Sequence, residues 1–167
     1  MGSMTGLDAA LRARREGEAL AHAAFERLTL PDVPTVDSIV DHVARLRGRR
    51  IVVEQLPGLA GTSTCGWWLA HEDRDEILIA PPQSTRHRDA VVLHEVGHLV
   101  LDLTGVVPAG HGDVVELPRS QGGGAVQARR SHFDDAVEVA AELLADTFHR
   151  EIRRGPRAAS GFLRVFT

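Results

Sequence analysis

The chain has 167 residues, 43% of them hydrophobic and 25% charged, with a net charge of −4 at pH 7. These values suit one soluble globular domain with a real core, and they speak against a general nucleic-acid binder. The single cysteine, Cys65, rules out an internal disulfide and points to a reducing compartment. No apolar run is long enough to span a membrane, and the N-terminus lacks the apolar core of a signal peptide, so neither membrane nor export is expected. Met1-Gly2-Ser3 ahead of Met4 reads as an expression remnant, which leaves 4–167 as a single domain without internal repeats.

In chain order, residues 6–29 read as a helix, with Leu7, Leu11, Ala21, Phe25 and Leu28 at helical spacing, stopped at Pro31 and Pro34. Thr35 is placed to cap a second helix whose stripe is Val36, Ile39 or Val40, Val43 and Leu46, ending at Gly48. Residues 50–56 are β-branched and read as a strand. Segments 63–71 and 76–80, separated by a polar turn over 72–75, read as a hairpin beside that strand. Trp67 and Trp68 are adjacent, so a strand sends them to opposite faces, one to the core and the other to line a groove. Ser84 or Thr85 caps a third helix running to about Leu103, with Val92, Val96, Leu99 and Leu103 toward the core. The Gly- and Pro-rich stretch 105–131 is expected to be irregular, and loops of that length usually serve function or are disordered. A last helix is expected from Phe133 or Asp134 to Arg153, and Phe162, Leu163, Val165 and Phe166 in the tail suit a short strand or turn.

The chemistry concentrates in His94-Glu95-Val96-Gly97-His98, inside the apolar run 90–101. On a helix, His94 and His98 lie four apart and share a face. Two imidazoles so placed can bind one zinc ion, and Glu95 can then act on a water at that ion. Two histidines do not suffice: a catalytic zinc needs a third protein ligand and an open position. The last helix offers Glu138, Glu142 and Asp146, spaced by four and interleaved with Ala140, Ala141 and Ala145, whose small side chains admit a close neighbour. Glu142 is the favoured ligand, with Asp146 one turn on to orient a ligating histidine. Glu138 is the alternative ligand, since both spacings are geometrically open.

His-Glu-Val-Gly-His followed, after a loop, by Glu142-Leu143-Leu144-Ala145-Asp146-Thr147-Phe148 on a second helix resembles zinc metallopeptidases of the gluzincin kind. The order of elements over about residues 7–153 is more specific and resembles the ImmA/IrrE family of small bacterial and phage metallopeptidases. The resemblance implies an α+β, mainly helical zincin-like domain with a small three-stranded sheet beside the HExxH helix and one Zn2+ per chain. It implies an endopeptidase of narrow specificity that cleaves or inactivates a partner, typically a helix-turn-helix regulator encoded nearby.

In physical terms, zinc held by His94, His98 and Glu142 would activate water, with Glu95 as the base. The chain has no tyrosine to hold a tetrahedral oxyanion, which leaves His132 and His111, with His149 behind them, as candidates. An extended peptide is expected to add to the sheet near Ile77 to Ala80. A rival reading is a zinc-containing binding or toxin-type module that acts on a regulator without proteolysis. Two further rivals are a zinc hydrolase acting on a small molecule and a metal-free structural domain.

Overall fold

The computed structural model describes residues 3–59, 66–107, 113–117, 126–130 and 135–155. Four helices, α1 (Ser3–Glu26), α2 (Val36–Arg47), α3 (Thr85–Leu103) and α4 (Asp135–Arg154), pack with a small sheet of β1 (Arg50–Gln55), β2 (Gly66–Ala70) and β3 (Arg74–Ile79). The fold is therefore α+β with helices dominant. α1 starts at Ser3, so the last residue of the tripeptide set aside as a remnant is helical.

The ends of α2 follow from local chemistry. Thr35 Oγ1 accepts from the Ser38 N–H at 3.0 Å and Ser38 Oγ accepts from the Thr35 N–H at 2.8 Å, a reciprocal cap worth roughly 1 kcal/mol. Gly48 closes the helix in the left-handed region at φ 69°, which favours glycine. α3 opens on Ser84, whose Oγ accepts from the His87 N–H.

β3 is the middle strand: β1 runs parallel to it and β2 antiparallel. Alternation then sorts the side chains. Ile77, Ile79, Trp68, Ile51 and Val53 join the main core with the helices, whereas Leu69, Leu78 and Trp67 pack with Leu59 on the other face. Trp68 is thus the core tryptophan, and Trp67 belongs to the second apolar cluster. Because β3 is paired on both sides, Ile77 to Ile79 cannot accept another strand, which corrects the expected docking edge; β2 is the outer strand on that side.

Leu7 and Leu11 lie on α1 as their spacing predicts but are 64% and 47% exposed, because α1 begins to bury side chains only from Gly17 onward. There α1 presses on α4 so closely that a Cβ on Gly17 would lie 2.7 Å from the Ala136 carbonyl oxygen. The stretch 105–131 is not irregular throughout: β4 (Asp113–Leu117) and β5 (Val126–Arg130) pair antiparallel, and β5 lies beside β2. The tail residues Phe162, Leu163, Val165 and Phe166 lie outside the described residues.

Beneath the C-terminal half of α3 lies a buried ionic knot. Arg47, in the last turn of α2, donates from Nε to Asp75 Oδ2 at 2.7 Å and from Nη1 to Asp102 Oδ2 at 2.8 Å. The Trp68 indole N–H donates to Asp75 Oδ1 at 2.9 Å, and the guanidinium carbon stands 5.2 Å from the Trp68 ring centroid. Asp75 is fully buried in β3, although the sequence places it in the polar turn. The knot joins α2, β2, β3 and α3. Asp75→Ala should cost about 3–5 kcal/mol, because it leaves the buried Arg47 with Asp102 alone and the Trp68 indole N–H without its acceptor. Asp102, whose side chain keeps 32% of its exposure, should cost about 1 kcal/mol or less on the same change. Urea unfolding of the two variants checks the difference.

Candidate metal centre

α3 supplies the motif and α4 completes it. Gly97 makes this possible: a Cβ there would sit 2.8 Å from the Ala141 carbonyl oxygen and 3.1 Å from its Cα. Those are backbone atoms that cannot swing aside, so a glycine at 97 and an alanine at 141 set how near the two helices approach. Val92, Leu93, Val96, Leu99, Val100 and Leu101 are buried around the motif, which ties α3 to the core along most of its circumference.

His94 and His98 point the same way as their spacing predicts, with Nε2 atoms 3.2 Å apart. One carboxylate straddles them. Glu138 Oε2 is 3.4 Å from His94 Nε2, and Glu138 Oε1 is 3.6 Å from His98 Nε2. Among the described residues, His94, His98 and Glu138 bring one ligand atom each within 4.8 Å of one another. Tetrahedral zinc with bonds of about 2.0–2.2 Å keeps its donors about 3.4 Å apart. The two ring nitrogens are near that spacing, and Glu138 reaches them through different oxygens, so the group could hold a metal ion.

The carboxylate that stands between the two Nε2 atoms is that of Glu138, the alternative the sequence offers, and not that of the favoured Glu142. Glu142 Oε2 lies 3.2 Å from the other ring nitrogen, His94 Nδ1. There it accepts the ring N–H and leaves Nε2 as the free donor, the orienting role that the sequence assigns to Asp146. Asp146 is exposed, a further turn or about 6 Å along α4, and too far down the helix to share this site. The shift by one turn has a physical reason. Spacing of four puts all three acids on one stripe but says nothing of where along its axis α4 crosses α3. The Gly97–Ala141 contact sets that point, one turn beyond Glu138. Glu138 also lies in the first turn of α4, where the helix dipole favours an anion.

Charge and burial act against each other here. Burial opposes a proton on His94, but Glu138, Glu95 and Glu142 together outweigh it and raise its pKa above 6.5. His98 is almost fully buried, and burial with the neighbouring His94 charge holds its pKa well below 6.5, so its ring stays neutral. Burial pushes Glu95 up to about 7; the His94 charge pulls it down and Glu138 pushes it further up. A carboxyl poised there can take and return a proton near neutrality.

The wall opposite Glu95 is β2, whose Gly66 lies directly against it. Neither this contact nor the Arg47–Asp75 knot is predicted from the sequence; the only signals are a glycine opening the Trp-Trp strand and an acid in step with Ile77 and Ile79. His149, on α4, is half-buried about three turns beyond Glu138, and His132 and His111 lie outside the described residues. No protein-family model matches the chain, and neither a curated protein nor a solved structure is similar to it.

Two outcomes separate the acids. Glu142→Ala should weaken zinc about 10–100-fold in a chelator competition, the usual loss for an outer partner of a ligating histidine, whereas Glu138→Ala should weaken it more. Zinc bound at these nitrogens would also compete with the proton on His94. The raised pKa means that the charged ring stabilises the metal-free fold below 6.5 and that this stability fades as pH rises through the folded value. Zinc affinity should therefore rise with pH across that range, and calorimetry in buffers of different ionisation enthalpy should show proton release on binding that diminishes toward alkaline pH.

Proposed function

We propose that the protein is a zinc-dependent endopeptidase of the gluzincin kind, similar to the ImmA/IrrE family. The observation that carries this reading is the triangle of His94 Nε2, His98 Nε2 and the Glu138 carboxylate, with Glu95 buried beside it. Two imidazoles and one carboxylate are the donor set of catalytic rather than structural zinc, which is closed by four protein ligands. Zinc bound there would supply a Lewis acid and a water of lowered pKa.

The chain's own residues then have distinct tasks. His98, held neutral by burial, and His94, oriented through Nδ1 by Glu142, offer their Nε2 atoms to the ion. Glu95 takes the proton from the attacking water and returns it to the leaving nitrogen. β2, the strand beside Glu95, forms the wall of the site against which a substrate would lie. The substrate class is a protein, and the leading candidate is a helix-turn-helix regulator encoded next to this gene, acted on in the cytoplasm. No helix among the described residues is long and apolar enough to cross a membrane.

Glu95→Gln decides between proteolysis and sequestration. The variant should keep one zinc per chain and lose at least about 100-fold in cleavage of the neighbouring regulator, followed by gel and mass spectrometry. Full biological effect from Glu95→Gln would mean that the protein acts by binding.

A further inference from the structure

We infer that Gly66 is a positioning residue for Glu95: the missing side chain at the start of β2 is the space in which the carboxylate is held. The inference rests on the peptidase reading for its consequence in catalysis, but the contact itself does not depend on that reading.

The geometry is specific. A Cβ built on Gly66 would stand 2.7 Å from Glu95 Oε1, 3.1 Å from Glu95 Cγ and 2.8 Å from Val91 Cγ1. Gly66 is not among the positive-φ glycines, so no backbone conformation demands the residue. What demands it is space. The atom in closest conflict is the far end of a flexible side chain. A methyl group at 66 therefore obliges two side chains to give, the Val91 methyl and the Glu95 carboxylate, and the rotation of the carboxylate changes the direction the base points.

The strand that provides this wall is itself anchored. Two residues on, along the same face of β2, Trp68 donates its indole N–H to the buried Asp75, which Arg47 holds from α2. Gly66 cannot easily retreat from α3, and Val91 blocks the adjacent direction. Glu95 is 5% exposed between these walls. A base confined in this way arrives preorganised, which is worth more to catalysis than to stability.

The test compares wild type, Gly66→Ala, Glu95→Ala and the double variant in the full chain, using Co(II) as the metal probe. Visible absorption reads the surroundings of the ion, and thermal unfolding of the metal-free proteins reads the contact alone. Gly66→Ala should bind Co(II) within threefold of wild type and shift the absorption bands in the direction that Glu95→Ala shifts them. Adding it to Glu95→Ala should leave the bands where Glu95→Ala puts them. Its loss in melting temperature should be smaller without the Glu95 carboxylate than with it. The inference is overturned if Gly66→Ala gives the wild-type spectrum, or if its thermal cost is the same in both backgrounds. If wild type binds no Co(II), the metal reading fails and the thermal comparison alone decides the contact.

Discussion

The site depends on the place where α3 touches α4. Gly97 and Ala141 meet at backbone distance, and no larger residue fits at position 97 without driving the helices apart. Separation is felt at once in the polar atoms, because the three donor distances of 3.2, 3.4 and 3.6 Å leave little room for drift. The glycine between the two histidines is thus as much a part of the centre as its ligands. It trades helix propensity, at about 1 kcal/mol against alanine, for proximity.

Around this contact the fold sets stiffness where chemistry needs it. α3 is held by the core along most of its faces, by the Arg47 guanidinium at its last turn, and by β2 on the side of Glu95. Arg27 reaches from the end of α1 to the Thr104 carbonyl at 2.7 Å and satisfies an orphan group at its C-terminus. Glu138 and Glu142 on α4 remain exposed on the side of the histidine pair that faces solvent. Three carboxylates surround two imidazoles, and their charge favours a proton on His94 or a cation in its place.

Local signals in the sequence carried the elements well and the distances between them poorly. Thr35, Gly48 and Ser84 act through hydrogen bonds to residues three or four places away, so their caps were legible. The motif pair His94 and His98 was legible for the same reason. The choice between Glu138 and Glu142 was not, since it depends on the crossing point of two helices that are distant in sequence. Asp75 was misplaced because a charge beside a polar turn reads as solvent-facing until its partner, Arg47, is known to lie across the sheet. The edge of the sheet was misjudged because β1 pairs in parallel with β3, a long-range choice that no turn residue encodes.

The most direct test of this account is a crystal structure of the zinc-loaded protein with an anomalous map at the zinc edge. The account predicts one peak per chain, about 2.0–2.2 Å from His94 Nε2, His98 Nε2 and a Glu138 oxygen, with Glu142 on His94 Nδ1 and Glu95 facing the open position. A peak held by Glu142 in place of Glu138, or one lying away from the two histidines, would contradict it.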